Sequence, residues 1–252
     1  MPVTTLVAIP GGINENLSSA KQATMLSLLG APRQNFDQNC REVTNTRLRP
    51  LIVFQSVGPF RVSGLLPAVT SLRQVIEDIG DEAADVHAVL GSAGMLCARN
   101  VRGSQTAISN HAWGTAVDLT LEGVLDVRGD GRVQEGLARI APIFNRHGWY
   151  WGAAFRTEDA MHFECSEQMI RRWADEGVFR GSPTPASVLS LGDRGPEVRD
   201  LQQRLNAKGA DLVVDGDFGR ATHAAVMAFQ AQQGLFVDGV VGPKTRTALG
   251  LA

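Results

Sequence analysis

The stretch Arg180-Gly-Ser-Pro-Thr-Pro-Ala-Ser187 packs glycine, two serines, threonine and two prolines into eight residues. Such a segment has almost no apolar side chain to add to a core, and its prolines lack the N–H that a helix or sheet ladder needs. It is expected to be an extended linker over 180–187. It therefore divides the 252-residue chain into a large first part, residues 1–179, and a compact second part, residues 188–252. The second part, about 65 residues, is near the lower end of what folds alone.

In the first part, Leu51-Ile-Val-Phe54 fits a short buried strand. Pro67 suits a first helical turn, and Val69, Leu72, Ile76 and Ile79 follow at helical spacing, with Arg73, Glu77 and Asp78 turned away. Residues 115–121 alternate and are rich in β-formers, which reads as a strand. Leu137, Ile140, Ile143 and Phe144 mark another helix, which Pro142 should kink or force to start late. Strands and helices mingle without βαβ alternation, so an α+β fold with a small antiparallel sheet is expected.

The second part repeats itself. Asp215-Gly-Asp-Phe-Gly219 leads to Thr222 and Ala225-Val226, and Asp238-Gly-Val-Val-Gly242 leads to Thr245 and Ala248-Leu249 at a constant offset. Each half is a glycine turn delivering a helix, with the threonine as its expected cap. Leu201, Leu205, Val226, Phe229 and Leu249 should then form the core of an all-α three-helix module.

Two segments carry chemistry. In Ser109-Asn-His-Ala-Trp-Gly-Thr-Ala-Val-Asp118, a helix would leave His111 and Asp118 roughly 10 Å apart along its axis. A turn at Gly114 leading into a strand is the better geometry. In that strand Val117, Leu119 and Leu121 face the core, while Ala116, Asp118 and Thr120 share the other side. A buried carboxylate there is costly unless paired or bound to a metal. In Glu158-Asp159-Ala-Met-His162-Phe-Glu164, Met161 and Phe163 alternate with His162, as in a strand that turns the histidine away from the core. Two histidines and one carboxylate are a common ligand set for catalytic zinc, with a fourth position left for water. Asp159 stands ready as the carboxylate that takes a proton.

These residues in this order resemble the VanY-type zinc peptidases. That family includes D-alanyl-D-alanine carboxypeptidases and the L-alanyl-D-glutamate endopeptidases of phage endolysins. The resemblance rests on Ser109-x-His111-x-x-Gly114-x-Ala116-x-Asp118 followed by Asp159-x-x-His162-Phe-Glu164. It implies that His111, Asp118 and His162 bind Zn2+, that Asp159 is the general base, and that an upstream arginine meets the substrate or its oxyanion. Arg99 and Arg102 both qualify, and Arg99 is preferred. An aspartate at position 159 is closer to the endopeptidase branch. Ser109 and Trp113 could shape the pocket, though Trp113 fits core packing equally well. Leu191-Gly-Asp-Arg-Gly-Pro-Glu-Val-Arg-Asp-Leu-Gln202 with the two Asp-Gly-x-x-Gly repeats is similar to the peptidoglycan-binding module of wall hydrolases, which carries no catalytic residue.

Composition closes off other classes. A formal net charge of -2 gives no drive towards nucleic acid, and no apolar run approaches the ~20 residues of a membrane span. The N-terminus has no basic region, and its apolar run stops at Pro10-Gly11-Gly12, unlike a secretory signal. Synthesis in the cytoplasm, without a signal peptide, and later release to the wall are expected, as is a monomer. Cys40, Cys97 and Cys165 are too few and scattered for a disulfide framework, so buried reduced thiols are expected. Asp126-Val-Arg-Gly-Asp-Gly-Arg132 lacks the ligand spacing of a calcium loop and reads as a tight Asp-Gly turn. Residues 1–84 show no motif tied to a mechanism. The resulting expectation is an endolysin-like L-alanyl-D-glutamate endopeptidase acting on peptidoglycan. The rivals are a D-alanyl-D-alanine carboxypeptidase and a non-catalytic wall-binding protein with structural zinc.

Overall fold

A computed structural model describes residues 1–179, 189–235 and 237–251; the expected linker over 180–187 lies outside the described residues. Contacts divide the chain into two compact units, Met1–Arg172 and Trp173–Ala252. The chain runs β1 (Leu6–Ala8), α1 (Gln22–Leu29), β2 (Ile52–Ser56), β3 (Arg61–Leu65), α2 (Leu66–Glu82), α3 (Ala84–His87), β4 (Leu90–Gly94), β5 (Ala116–Leu121), β6 (Arg132–Gln134), α4 (Glu135–Arg146), β7 (Trp149–Trp151), β8 (His162–Cys165), α5 (Glu167–Asp175), α6 (Pro196–Ala207), α7 (Arg220–Gln232) and α8 (Pro243–Leu249). It is α+β in the first unit, with a helical module at the C-terminal end. No helix among the described residues is long and apolar enough to cross a membrane.

The first unit is organised by a four-stranded antiparallel sheet in the order β4-β5-β8-β7. Val117, Leu119 and Leu121 of β5 are buried, whereas Asp118 and Thr120 are only partly so, which is the alternation expected of a half-buried strand. The core-facing side packs on α2 and α4. Val69, Leu72, Ile76 and Ile79 of α2 are all buried, and Phe144 of α4 stacks on Phe163 of β8 with ring centroids 4.0 Å apart.

One local expectation is revised and another narrowed. Leu51-Ile-Val-Phe54 does not form a buried strand: β2 pairs only with β3 as a two-stranded ribbon, and Phe54 is 61% exposed with the Arg61 guanidinium 4.5 Å from its ring centre. An apolar run alone cannot tell a ribbon with one open face from a central strand. Helix α4 starts at Glu135 and runs through Pro142 to Arg146. Pro142 lies on the exposed face, so the carbonyl it leaves without a donor is on the solvent side of the helix.

The cysteine expectation is also corrected. Cys40 and Cys97 form a disulfide with their Cα atoms 5.0 Å apart, and only Cys165 is a buried free thiol. The pair is brought together by an antiparallel bridge between Arg41 and Ala98, a long-range contact that spacing could not reveal.

In the second unit, Leu201, Leu205, Val226, Phe229 and Leu249 pack together as expected, joined by Val198, Phe218 and Val241. The repeat works by a clamp. Gln202 donates through Nε2 to Asp215 Oδ1, the Asp217 carbonyl and Thr222 Oγ1, and accepts from Gly216 N–H. Gln230 does the same for Asp238, Val240 and Thr245, accepting from Asp238 and Gly239 N–H. Thr222 and Thr245 are therefore turn clamps at the third helical position; the caps are Gly219 and Gly242.

Candidate metal centre

His111 sits in a short 3-10 turn, Asn110–Trp113, that Gly114 ends in the left-handed region with φ 67°. Gly114 is required twice over. A Cβ there would lie 2.7 Å from Leu65 N and 2.8 Å from Gly64 Cα, and the Gly114 carbonyl accepts from Leu65 N–H at 2.9 Å. Gly114→Ala is therefore expected to cost at least ~2 kcal/mol, read as a lowered urea midpoint. The turn hands the chain straight into β5, and the antiparallel register sets Asp118 directly opposite His162 of β8.

The result is a three-point cluster. His111 Nε2, His162 Nδ1 and Asp118 Oδ1 lie 3.1 Å from one another in every pairing. The outer nitrogens of both rings are already engaged: His111 Nδ1 with the Met95 carbonyl at 2.9 Å, and His162 Nε2 with Glu164 Oε2 at 2.9 Å. Both partners are acceptors, so each outer nitrogen is the one that bears hydrogen in the neutral ring. The two inner nitrogens and the carboxylate oxygen then turn lone pairs on one another.

Such an arrangement demands positive charge. Burial would lower the His162 imidazole, yet Asp118 and Glu164 on its two sides push it up to about 10. Burial would likewise raise Asp118, but the two imidazoles outweigh it and hold the carboxyl well below the usual carboxylate range. A single added proton satisfies one contact of the three, whereas a cation satisfies all of them. The 3.1 Å separations are also close to the edge of a tetrahedron with zinc–ligand bonds of ~2.0–2.1 Å, roughly 3.3 Å. The donor set fits a zinc ion, and among the described residues this is the one group of three suited to a metal.

The outer partners are themselves fixed. Glu164, almost wholly buried, accepts from Ser19 Oγ, Ala20 N–H and Asn110 Nδ2 as well as from His162. Burial alone would raise its pKa, but these donors, led by His162, keep it ionised. Groups that orient metal-binding histidines in this way fix both tautomer and ring angle. The N-terminal segment thus acquires a place in the site that its sequence did not announce.

Asp159 lies beside the cluster. Burial raises its pKa, with His162 pulling the other way and Asp118 adding to the rise. Its Oδ1 is buried and accepts no hydrogen bond among the described residues, while Oδ2 faces Arg128 Nε at 3.2 Å. Arg99 is half-buried, within electrostatic range of Asp118 and Asp159, and its Nη1 donates to the Asn100 carbonyl at 3.0 Å. Arg102 is exposed. Trp113 belongs to the core, fully buried with Nε1 donating to the Gly30 carbonyl, and Ser109 is buried at the start of the turn.

Arg128 was missed in the sequence because it falls in the Asp126–Arg132 segment read as a plain turn. Asp126 holds that segment to β6 by accepting from Gln134 N–H at 2.6 Å, while its Oδ1 stays buried without a partner among the described residues. Burial pushes the Asp126 carboxyl up to about 6, with Asp130, Glu158 and Asp159 adding to the rise and the Gln134 N–H opposing it. A folded pKa above the unfolded one stabilises the fold below about pH 4, and this stabilisation is lost as pH rises through about 6. Asp126→Asn is therefore expected to match the wild type near pH 4. Near pH 7 it should exceed it by about 1–2 kcal/mol in chemical denaturation, allowing for solvent screening.

Residues 102–165, which include all three cluster residues and Asp159, match the family model described as D-alanyl-D-alanine carboxypeptidase. Residues 194–249 match the one described as "Putative peptidoglycan binding domain". A zinc D-Ala-D-Ala carboxypeptidase of Streptomyces albus G is 47% identical over 75 residues, 29% of this chain and 29% of the relative. The N-acetylmuramoyl-L-alanine amidase CwlL of Bacillus licheniformis is 38% identical over 73 residues, 28% of this chain and 20% of the relative. The crystal structure of the Burkholderia AP3 phage endolysin is 53% identical over 25% of each chain, with a TM-score of 0.25. The chain spans less than a third of the length of these two curated relatives. The chain thus carries one segment similar to that carboxypeptidase family and a second similar to peptidoglycan-binding domains.

Proposed function

We propose that the chain is a zinc metallopeptidase that hydrolyses the peptide stems of bacterial peptidoglycan, with the activity of an L-alanyl-D-glutamate endopeptidase of the endolysin kind. The observation that carries this reading is the convergence of His111 Nε2, His162 Nδ1 and Asp118 Oδ1, beside a carboxylate with one buried oxygen that accepts no hydrogen bond among the described residues. When bound by these three residues, zinc supplies Lewis-acid polarisation of the scissile carbonyl and of the attacking water.

The protein's own groups account for the rest. Asp159 takes the water's proton at Oδ1 and returns it to the departing amine, and its raised pKa brings it nearer to neutrality, where a base that must also release its proton works best. Arg99, close to both acids, offers positive charge to the carbonyl oxygen as negative charge develops there. Glu164 and the Met95 carbonyl keep both rings aimed inwards. The module over 188–252, beyond the linker, holds the peptidase at its polymer and raises local substrate concentration without altering the chemistry.

A D-alanyl-D-alanine carboxypeptidase is the second reading, favoured by the description of the family matched over 102–165. Digestion of purified wall followed by mass spectrometry of the new termini separates them. New D-Glu amino termini are expected; free D-Ala as the sole product would replace the first reading by the second.

A further inference from the structure

The segment between β5 and β6 is a built arm. Glu158 accepts from Gly129 N–H with Oε1 and from Gly131 N–H with Oε2, both at 2.8 Å, and its own carbonyl also takes Gly129 N–H. Gly129 and Gly131 reach these contacts with φ of 85° and 74°, which glycine adopts without strain. Asp126 ties the root of the arm to Gln134. One residue, Glu158, thus clamps the arm, and its neighbour Asp159 meets the arm's only arginine before β6.

Arg128 is held there lightly. Its nearest approach to Asp159 is Nε to Oδ2 at 3.2 Å, its side chain is 45% exposed, and its two terminal nitrogens donate no hydrogen bond among the described residues. A guanidinium with its fork open towards solvent matches a carboxylate, which it can grip with two parallel bonds. Val124, Leu125 and Val127 on the same arm are exposed and offer apolar surface to a peptide.

The substrate class proposed above carries the matching group. For either of the two bonds considered above, the residue whose amine is released bears a carboxylate next to that amine: the α-carboxylate of a γ-linked D-Glu, or the terminal carboxylate of D-Ala. Arg99 already spends one terminal nitrogen on the Asn100 carbonyl. We propose that Arg128 is the residue that recognises this carboxylate, exchanging Asp159 for the substrate's acid group and so placing the released residue on the arm's side of the site. The inference rests on the stem-peptidase reading but not on which of those two bonds is cut.

The test uses zinc-loaded full-length protein and two pairs of synthetic stem peptides: free D-Glu against its α-amide, and a D-Ala-terminated stem against its terminal amide. The wild type is expected to favour the free acid of the pair it cleaves by about 10–100-fold in kcat/KM. Arg128→Met should bring the acid-to-amide ratio of kcat/KM close to one through the KM of the acid, whatever change in kcat the two peptides share from the loss of charge beside Asp159, and keep the wild-type zinc content and melting temperature. A loss of kcat shared equally by acid and amide, with KM unchanged, would overturn the proposal, since it would make Arg128 a support for Asp159 only. Calorimetric binding of all four peptides to wild type and Arg128→Met gives a readout independent of turnover. If no peptide is cleaved, the stem-peptidase reading fails, and Arg128 is judged by whether acid binds more tightly than amide in the wild type alone.

Discussion

Asp118→Ala is expected to strip the protein of its metal and to reduce wall hydrolysis by at least ~10³-fold. The argument starts from the strand pair. Asp118 and His162 face each other across β5 and β8, so the carboxylate is presented by backbone register and not by a flexible loop. Removing it leaves two inner nitrogens 3.1 Å apart with nothing to complete a three-ligand site. Two neutral imidazoles without the carboxylate's charge hold a divalent cation weakly, because the charge that balances the ion is gone. The fold should tolerate the change. The side chain is 24% exposed, and its hydrogen-bonded partners are the two histidines themselves. Metal content by elemental analysis, read beside the melting curve of metal-free wild type and variant, checks this. Full metal stoichiometry in the variant would remove Asp118 from the ligand set.

His111, Asp118 and His162 were legible because a turn-to-strand segment and a second strand are local patterns, and local pattern is what sequence periodicity reports. The glycine that forces the turn was legible too, though the reason it cannot be replaced, the approach of Leu65 and Gly64 from another strand, was not. What stayed hidden is what depends on distant chain. Ser19 and Ala20 hold Glu164 from about 145 residues away, Cys40 finds Cys97, and Arg128 meets Asp159 across the arm. None of these partners carries a spacing that could flag it. In the C-terminal module the repeated Asp-Gly turns were visible as a pattern, but the glutamines that clamp them, Gln202 and Gln230, fall at a different offset from the repeat and escaped it. Threonines read as caps proved to be members of those clamps.

Asp159→Asn is expected to lower hydrolysis by ~10²–10⁴-fold, the range for losing a general base, while metal content stays that of the wild type. The substitution keeps size and leaves an oxygen that can still face Arg128, so packing around the site should change little. What it removes is the ability of Oδ1, buried and without a hydrogen-bond donor of its own, to take a proton and return it to the leaving amine. The separation of the two variants is the informative part. Asp118→Ala should lose metal and activity together, whereas Asp159→Asn should lose activity alone. A protein whose metal served only to brace the fold would respond to the first and ignore the second. Retained hydrolysis in Asp159→Asn would therefore take the base role from Asp159 and pass it to another group near the cluster, even with the metal site intact.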